Sequence, residues 1–162
     1  MTLVPQRYVP KNLTQKDKTL AKRELKLSRK LYKKQQYHTR KKVASFQHKT
    51  SKHILKARKV YAIDNIVPSP LLAKKTGCSL DALKKIVKKG EGAYFSSGSR
   101  PNQTAQSWGY ARLASSITGG KASAVDYSIL EKGCTKNSKA FQMAKKSKNY
   151  KHGSRSVPKV KL

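Results

Sequence analysis

The hydrophobic and polar positions near the start of the chain follow the spacing of an amphipathic helix. Thr14 and Asp17 are placed like the two ends of a capping box, with Asp where Glu or Gln is usual. One half of the helix surface would carry Leu20, Ala21, Leu27, Ser28, Leu31 and Tyr32, while lysines and arginines fill much of the other half. The pattern predicts a helix from about 14 to 35. We interpret Leu20, Leu27, Leu31 and Tyr32 as anchors that bind a partner.

A second amphipathic helix is predicted from Ser51, its N-cap, to Tyr61, with Ile54, Ala57 and Val60 as contacts. The segment between the two helices, 37–49, is basic and has no regular pattern. We expect it to be irregular.

The middle of the chain contains the pattern of a helix-turn-helix hairpin. Ser69 and Pro70 would open a short helix that ends at Gly77, and Ser79 would cap a second helix over 80–89. The second helix offers four lysines to an anion, namely Lys84, Lys85, Lys88 and Lys89. Because it contains no Arg, Asn or Gln to read base edges, contact with nucleic acid would not select a sequence. The same pattern also occurs as plain packing in helical domains.

A Gly- and Ser-rich stretch over 90–104 follows this hairpin and is predicted to be a loop that carries Arg100. Backbone N–H groups of such a loop can bind an anion, and Arg100 could add a bidentate contact. Alternatively, Arg100 pairs with Glu91, Asp126 or a backbone carbonyl. Both interpretations stay open.

The next predicted helix, 105–117, is apolar around much of its circumference, which is typical of a buried helix. We expect Trp108 to anchor the centre of the core, although a lone Trp could also stack on a base. A last short helix is predicted over 126–132 and would be closed by Gly133.

Charge divides the chain into three segments. The whole chain has 38 Lys and Arg against 7 Asp and Glu, a formal net charge of +31. Residues 1–61 hold 19 of these basic and 2 of the acidic residues, 62–134 hold 10 and 5, and 135–162 hold 9 and none. The sequence therefore predicts a mainly α fold with a small helical core over about 64–134. A basic helical arm (1–61) would precede the globular domain (62–134), and an extended basic tail (135–162) would follow it.

The same composition argues against several classes of protein. No apolar run approaches the roughly 18 residues of a membrane span, and the first residues contain no apolar signal region. Cys78 and Cys134 lie too far apart for a zinc motif, and we expect two reduced thiols. The few carboxylates form no close pair, and no histidine has metal-ligand spacing. The sequence predicts a non-enzymatic protein without a metal, a cofactor or a small-molecule substrate.

Several runs in the chain are similar to a known family. They are KLYKK (30–34) and TRKK (39–42), then GEGAYFSSGSRPNQT (90–104), SWGYARLAS (107–115), TGGKA (118–122) and VDY (125–127). Over about 7–134 the chain resembles a family of small basic proteins, of uncharacterised function, from large nucleocytoplasmic DNA viruses, notably those that infect algae. The resemblance implies a virion-associated protein made in the host cytoplasm or nucleus. It provides no catalytic residues.

Two functions follow as hypotheses. The first is a minor capsid protein that cements or lines the inner face of an icosahedral shell. Its basic arms would have major and minor capsid proteins and the inner membrane surface as partners. The second is a virion protein that packages viral DNA through nonspecific phosphate contacts. A ribosomal-type RNA-binding protein fits the composition equally well but lacks an RNA-module signature.

Overall fold

Eight helices and one short two-stranded sheet make up the computed structural model, which describes residues 2–148 and 157–162. In chain order the elements are β1 (Leu3–Pro5), a 3-10 turn (Gln6–Tyr8), α1 (Gln15–Tyr32), α2 (Lys52–Tyr61), α3 (Pro70–Thr76), α4 (Leu80–Ser96), α5 (Ala105–Ile117), α6 (Lys121–Val125), α7 (Tyr127–Gly133), α8 (Lys139–Ser147) and β2 (Lys159–Lys161). The predicted mainly α fold is confirmed. No helix among these residues is both long and apolar enough to cross a membrane.

Side-chain caps fix where the helices begin. The hydroxyl of Thr14 accepts the Asp17 N–H, and Ser69 and Ser79 cap α3 and α4 in the same way. Gly77, with φ of +74°, ends α3 in the left-handed conformation that glycine adopts without strain. The predicted α3–α4 hairpin is therefore confirmed.

Helix α4 is longer than the sequence predicts. It does not end at Gly90 but continues through Gly92 to Ser96, so the predicted loop over 90–104 is wrong for its first seven residues. The reason is tertiary packing, because α4 lies directly against α5. A Cβ on Gly90 would come within 2.7 Å of the Gly109 Cα, so glycine at this position allows close approach of the helices and does not stop α4.

The main hydrophobic core draws on all three predicted segments. Its fully buried side chains include Leu72, Leu83, Ile86, Leu113, Ile117 and Leu130 from the middle of the chain. Ala57 and Tyr61 of α2 are buried in the same cluster, as are Ala140, Phe141 and Ala144 of α8. The expectation that 135–162 is an extended tail is thus wrong for 139–147, where the apolar face of a helix is buried. The predicted tail also includes 149–156, which lie outside the described residues.

A second hydrophobic cluster holds the first part of the chain in place. It consists of Val4, Tyr8, Val9, Leu13, Ala21, Leu25 and Val43. Trp108 packs against this cluster and contacts the Tyr8 ring edge-on at 6.2 Å between centroids. Trp108 is only partly buried, so the expectation that it anchors the centre of the core is wrong. Leu113, Ala114 and Ile117 are the residues of α5 that fill the main core.

The described ends of the chain meet in the small sheet. β1 and β2 are antiparallel, with Val4 opposite Val160. Val160 also packs on the second cluster, so the sheet continues that cluster to the last residues.

Cys78 and Cys134 form a disulfide bond, which corrects the expectation of two reduced thiols. The turn after α3 and the end of α7 run antiparallel, with the Ser79 N–H donating to the Gly133 carbonyl and the Thr135 N–H to the Gly77 carbonyl. This pairing brings the two cysteines together across 56 positions of sequence. Sequence spacing alone does not reveal such an approach.

Candidate nucleic-acid interface

The outer face of α1 carries a line of positive charge. At 3.6 residues per turn, five of its exposed basic residues fall within an arc of roughly 80°. We call these residues the α1 stripe: Lys16, Arg23, Lys26, Lys30 and Lys34, the last just past the helix end. The opposite face is buried through Ala21, Leu25 and Ser28. The helix therefore presents one long cationic edge to solvent.

Both carboxylates of α1 point away from this stripe. Asp17 accepts hydrogen bonds from the Ser45 backbone N–H (2.8 Å) and the Ser45 hydroxyl (2.5 Å), and these bonds lower the pKa of its carboxyl. Glu24 is bound by the His38 Nε2 (2.6 Å) and the Lys41 N–H (3.2 Å). Burial would raise the pKa of the Glu24 carboxyl, but these hydrogen bonds outweigh it and the pKa is lowered. No acidic side chain of α1 therefore compensates the charge of the stripe.

Arg40 connects the basic segment after α1 to the core. Its guanidinium donates to the Ser28 hydroxyl (3.0 Å), the Tyr94 carbonyl (2.7 Å) and the Ser99 hydroxyl (2.7 Å). It also lies over the Tyr94 ring, with Cζ 3.7 Å from the centroid. No carboxylate of the described residues lies within 4.0 Å of it, and burial lowers the pKa of this guanidinium. Asn102 fixes the next residues, since its amide group both accepts from and donates to the Val43 backbone.

Three aromatic rings meet just after the C-terminal end of α1, where Tyr32 lies on the helix face away from the α1 stripe. The Tyr37 ring is 6.2 Å from that of Tyr32 and 5.1 Å from that of Phe95 between centroids. We call these three residues the aromatic platform. Tyr37 is 70 % exposed and Tyr32 is 37 % exposed, so the platform faces solvent. Sequence analysis missed Tyr37, although an aromatic residue just after Lys33 and Lys34 is a pattern typical of nucleic-acid binding.

The four lysines predicted on α4 do not act as one group. The Lys85 Nζ is 3.1 Å from Asp81, and the Lys89 Nζ is 3.4 Å from Asp126. Asp126 is fully buried and also accepts two hydrogen bonds from Arg112. Lys84 and Lys88 are exposed, with no carboxylate of the described residues within 4.0 Å.

Arg100 has none of the carboxylate partners that the sequence suggested. Asp126 is taken by Arg112 and Lys89, and no ion pair to Glu91 is present in the described part of the chain. Burial, and then the positive charge of Arg7, lower the pKa of the Arg100 guanidinium. Arg100 and Arg40 line a cavity of about 20 Å³ beneath the 97–103 loop, which suits a single water molecule and is too small for a phosphate group.

The predicted partner anchors of the first helix are divided between inside and outside. Leu20 packs on the second hydrophobic cluster, and Leu31 is half-buried. Leu27 remains 38 % exposed and Tyr32 remains 37 % exposed. The apolar residues that α1 buries are Ala21 and Leu25, and neither was among the predicted anchors.

Groups that could bind a metal or carry out catalysis are few. Within 2–148 and 157–162, no three His, Cys, Asp or Glu side chains are grouped to hold a metal ion. An open groove of about 290 Å³ lies between α4 and α7, lined by Ser79, Asp81, Lys85, Ser128 and Lys132 among others. Its Lys85 and Asp81 are paired with each other, so their charges are matched within the groove.

The comparison with protein families found one family that matches most of the chain. The model of the Family of unknown function (DUF5824) matches residues 5–140. The chain belongs to this family. The DUF5824 match includes the α1 stripe, the aromatic platform, Arg40 and both cysteines, whereas β2 lies beyond it.

The other comparisons add no relative. Neither the curated proteins nor the solved structures gave a significant match. Nothing in the three comparisons links the chain to a virus, so association with a virion stays a hypothesis that depends on the sequence resemblance.

Proposed function

We propose that this chain binds nucleic acid through backbone phosphates, without selecting a sequence. The observation that carries the proposal is the α1 stripe, in which five exposed basic residues line one helical face that has no carboxylate. A polyanion that binds there releases its counterions, and this release drives binding. The net charge of +31 favours the same class of partner.

The composition of the stripe supports phosphate contacts more than base contacts. Four of its five residues are lysines, which act as point charges and do not form the bidentate contacts by which Arg reads guanine. The α3–α4 hairpin adds Lys84 and Lys88. Its first turn, which would enter the DNA groove in a sequence-reading protein, exposes Asp81 and packs against Gly133. We therefore place the hairpin lysines in a secondary role.

A minor capsid protein that lines or cements a shell is the second candidate. Leu27 and Tyr32 favour it, because they expose apolar surface on two sides of α1, where a protein partner could cover them. The argument from long arms is weaker, since α2 and α8 fill this chain's own core. Partners in the shell, and localisation in the virion, remain part of this proposal. Loss of the protein from purified particles together with the DNA would contradict it.

The test of the first candidate is duplex binding measured against salt concentration. The full chain is titrated onto a fluorescein-labelled 20-base-pair duplex, and fluorescence anisotropy gives the Kd from 50 to 300 mM KCl. The logarithm of affinity should fall by about 0.9 per phosphate neutralised for each unit of log salt. Replacing Lys26 and Lys30 with Gln should lower this slope by roughly 2 and weaken binding at 100 mM KCl.

A matched variant separates local from general charge effects. Lys74→Gln with Lys75→Gln removes the same charge from exposed positions on α3. We expect the slope of this control to change by less than half as much. Equal changes in the two variants would remove the α1 stripe from the proposal, and the absence of salt-dependent binding would contradict the proposed function itself.

A further inference from the structure

The aromatic platform keeps a large ring in solvent. Among the large hydrophobic residues of the described chain, Tyr37 is the most exposed. An apolar ring in water gains nothing from the hydrophobic effect unless a partner covers it. Two neighbours of Tyr37, Tyr32 and Phe95, are also partly open to solvent, so the exposure is shared by a cluster.

Tyr37 is held in this position from both sides. Before it, the end of α1 is fixed by hydrogen bonds from the Gln35 N–H to the Tyr32 carbonyl and from the Gln36 N–H to the Leu31 carbonyl, both 2.9 Å. After it, His38 is bonded to Glu24. The ring is therefore presented by a fixed turn, which lowers the entropy cost of binding a ligand on it.

The chain segment that carries Tyr32 and Tyr37 is cationic. The α1 stripe ends at Lys34, three residues before Tyr37, and the sequence contains no Asp or Glu between Glu24 and Asp64. Three residues span at most about 10 Å, so a flexible polymer whose phosphates follow the stripe to Lys34 can reach Tyr37. Charge complementarity selects a polyanion over a neutral or basic protein as the partner.

From this juxtaposition we propose that the aromatic platform stacks unpaired bases, and that single-stranded nucleic acid is the preferred ligand of the α1 stripe. The inference rests on the proposed function and specifies its substrate. The bases of a duplex are already stacked on each other and cannot cover Tyr37, whereas every unpaired base offers a flat face to it. Because stacking does not depend on base identity, the preference is for strandedness and not for sequence.

The test compares two probes on the full chain, a labelled 20-nucleotide oligo(dT) and a labelled 20-base-pair duplex at the same salt concentration. Tyr37→Ala should weaken oligo(dT) binding by about 5- to 150-fold, the range that corresponds to the loss of one stacked base. Duplex binding should change by less than twofold. Leu55→Ala, which removes an exposed apolar side chain from α2, is the matched control and should change neither.

A second variant reports stacking on residue 37 directly, through fluorescence. Tyr37→Trp should retain oligo(dT) binding, and the tryptophan fluorescence should be quenched when oligo(dT) is added, beyond any quenching of Trp108 in the unsubstituted chain. If Tyr37→Ala leaves oligo(dT) affinity within twofold while both probes still bind with the expected salt dependence, the stacking inference is wrong and the proposed function stands. If neither probe binds even at 50 mM KCl, the proposed function fails and the inference fails with it.

Discussion

Gly90 of α4 and Gly109 of α5 lie against each other where the two helices pack. A Cβ on Gly90 would come within 2.7 Å of the Gly109 Cα, and a Cβ on Gly109 would come within 2.7 Å of the Val87 carbonyl oxygen. Because the obstructing atoms belong to the backbone, a rotamer change cannot relieve either contact. The two glycines therefore determine how closely the longest helices of the core approach each other.

This relationship predicts opposite effects for glycines two residues apart. Gly90→Ala and Gly109→Ala should each lower the free energy of unfolding by about 1–3 kcal/mol through overpacking. Gly92→Ala should raise it by about 0.5–1 kcal/mol, since no atom lies within 4 Å of its added Cβ and Ala favours the helix. Urea unfolding followed by circular dichroism measures all three. Equal destabilisation by Gly90→Ala and Gly92→Ala would contradict the packing described.

The disulfide predicts a strong dependence of stability on reduction. It closes a loop with a sequence separation of 56, for which the chain-entropy model gives about 4 kcal/mol of stabilisation. We expect Cys78→Ser with Cys134→Ser, or dithiothreitol on the unsubstituted chain, to lower the free energy of unfolding by about 2–4 kcal/mol. The double variant itself should not respond to dithiothreitol. A reductant effect of the same size on both proteins would indicate a cause other than this bond.

The hydrogen bonds of Glu24 predict that the fold loses stability in acid. In the folded chain the pKa of its carboxyl lies below the ordinary value of 4.5, so between the two pKa values the unfolded chain binds more protons. The stabilisation is present above about pH 4.5 and is lost as the pH falls through the folded pKa. Glu24→Gln should lower the free energy of unfolding at pH 7 by about 1–3 kcal/mol and flatten its change between pH 5 and 3.

Asp64→Asn serves as the control for this pH experiment, because Asp64 is exposed and its carboxyl forms no ion pair among the described residues. Its urea midpoints from pH 3 to 7 should follow those of the unsubstituted chain. Some pH dependence should persist in Glu24→Gln, since the pKa of Asp17 is also lowered. A Glu24→Gln profile parallel to the original would show that the His38 contact does not contribute.

The contacts of Arg40 predict that a positive charge alone does not stabilise the fold at this position. Lysine keeps the charge but cannot reach Ser28, Tyr94 and Ser99 together with one planar group. Arg40→Lys should therefore lower the free energy of unfolding by about 2–4 kcal/mol. Arg29→Lys, where an arginine makes one exposed hydrogen bond to the Ser97 carbonyl, should cost less than about 1 kcal/mol. Chemical denaturation of both variants distinguishes a buried anchor from a general effect of charge.

Local signals in the sequence predicted the starts of the helices well. Ser69, Ser79 and Thr14 cap the predicted helices because a cap depends on atoms within three residues. The end of α4 could not be predicted in this way. A glycine that stops a helix and a glycine that admits a neighbouring helix look the same until the neighbour, here Gly109, is placed.

Two elements near the basic ends of the chain, α8 and the β1–β2 sheet, were not predicted, for two different reasons. In α8 the apolar residues Ala140, Phe141 and Ala144 do have helical spacing after the Ser138 cap, but lysines dominate the composition, so the helix was predictable and was missed. The pairing of β1 with β2 joins three-residue strands from opposite ends of the chain, which no local pattern indicates.

The candidate site was predicted in part. The first helix and its basic face could be read from spacing, but the inward turn of Glu24 and Asp17 could not, because it depends on where His38 and Ser45 fold back. The composition of the 37–49 segment does not distinguish Arg40, which binds the core, from Lys41 and Lys42, which face solvent. Exposure of Tyr37 likewise emerges only when Phe95 is brought beneath it.

The sulfur–sulfur link between Cys78 and Cys134 also determines what a protease would leave behind. One peptide-bond cleavage anywhere between these positions would give two fragments that remain covalently joined, because the bridge spans the cut. Such a nicked molecule should migrate as a single band on a non-reducing gel and separate into two bands after thiol treatment. A cut before residue 78 or after residue 134 would release a fragment under both conditions, so paired gels show whether an accessible site lies inside or outside the bridged loop.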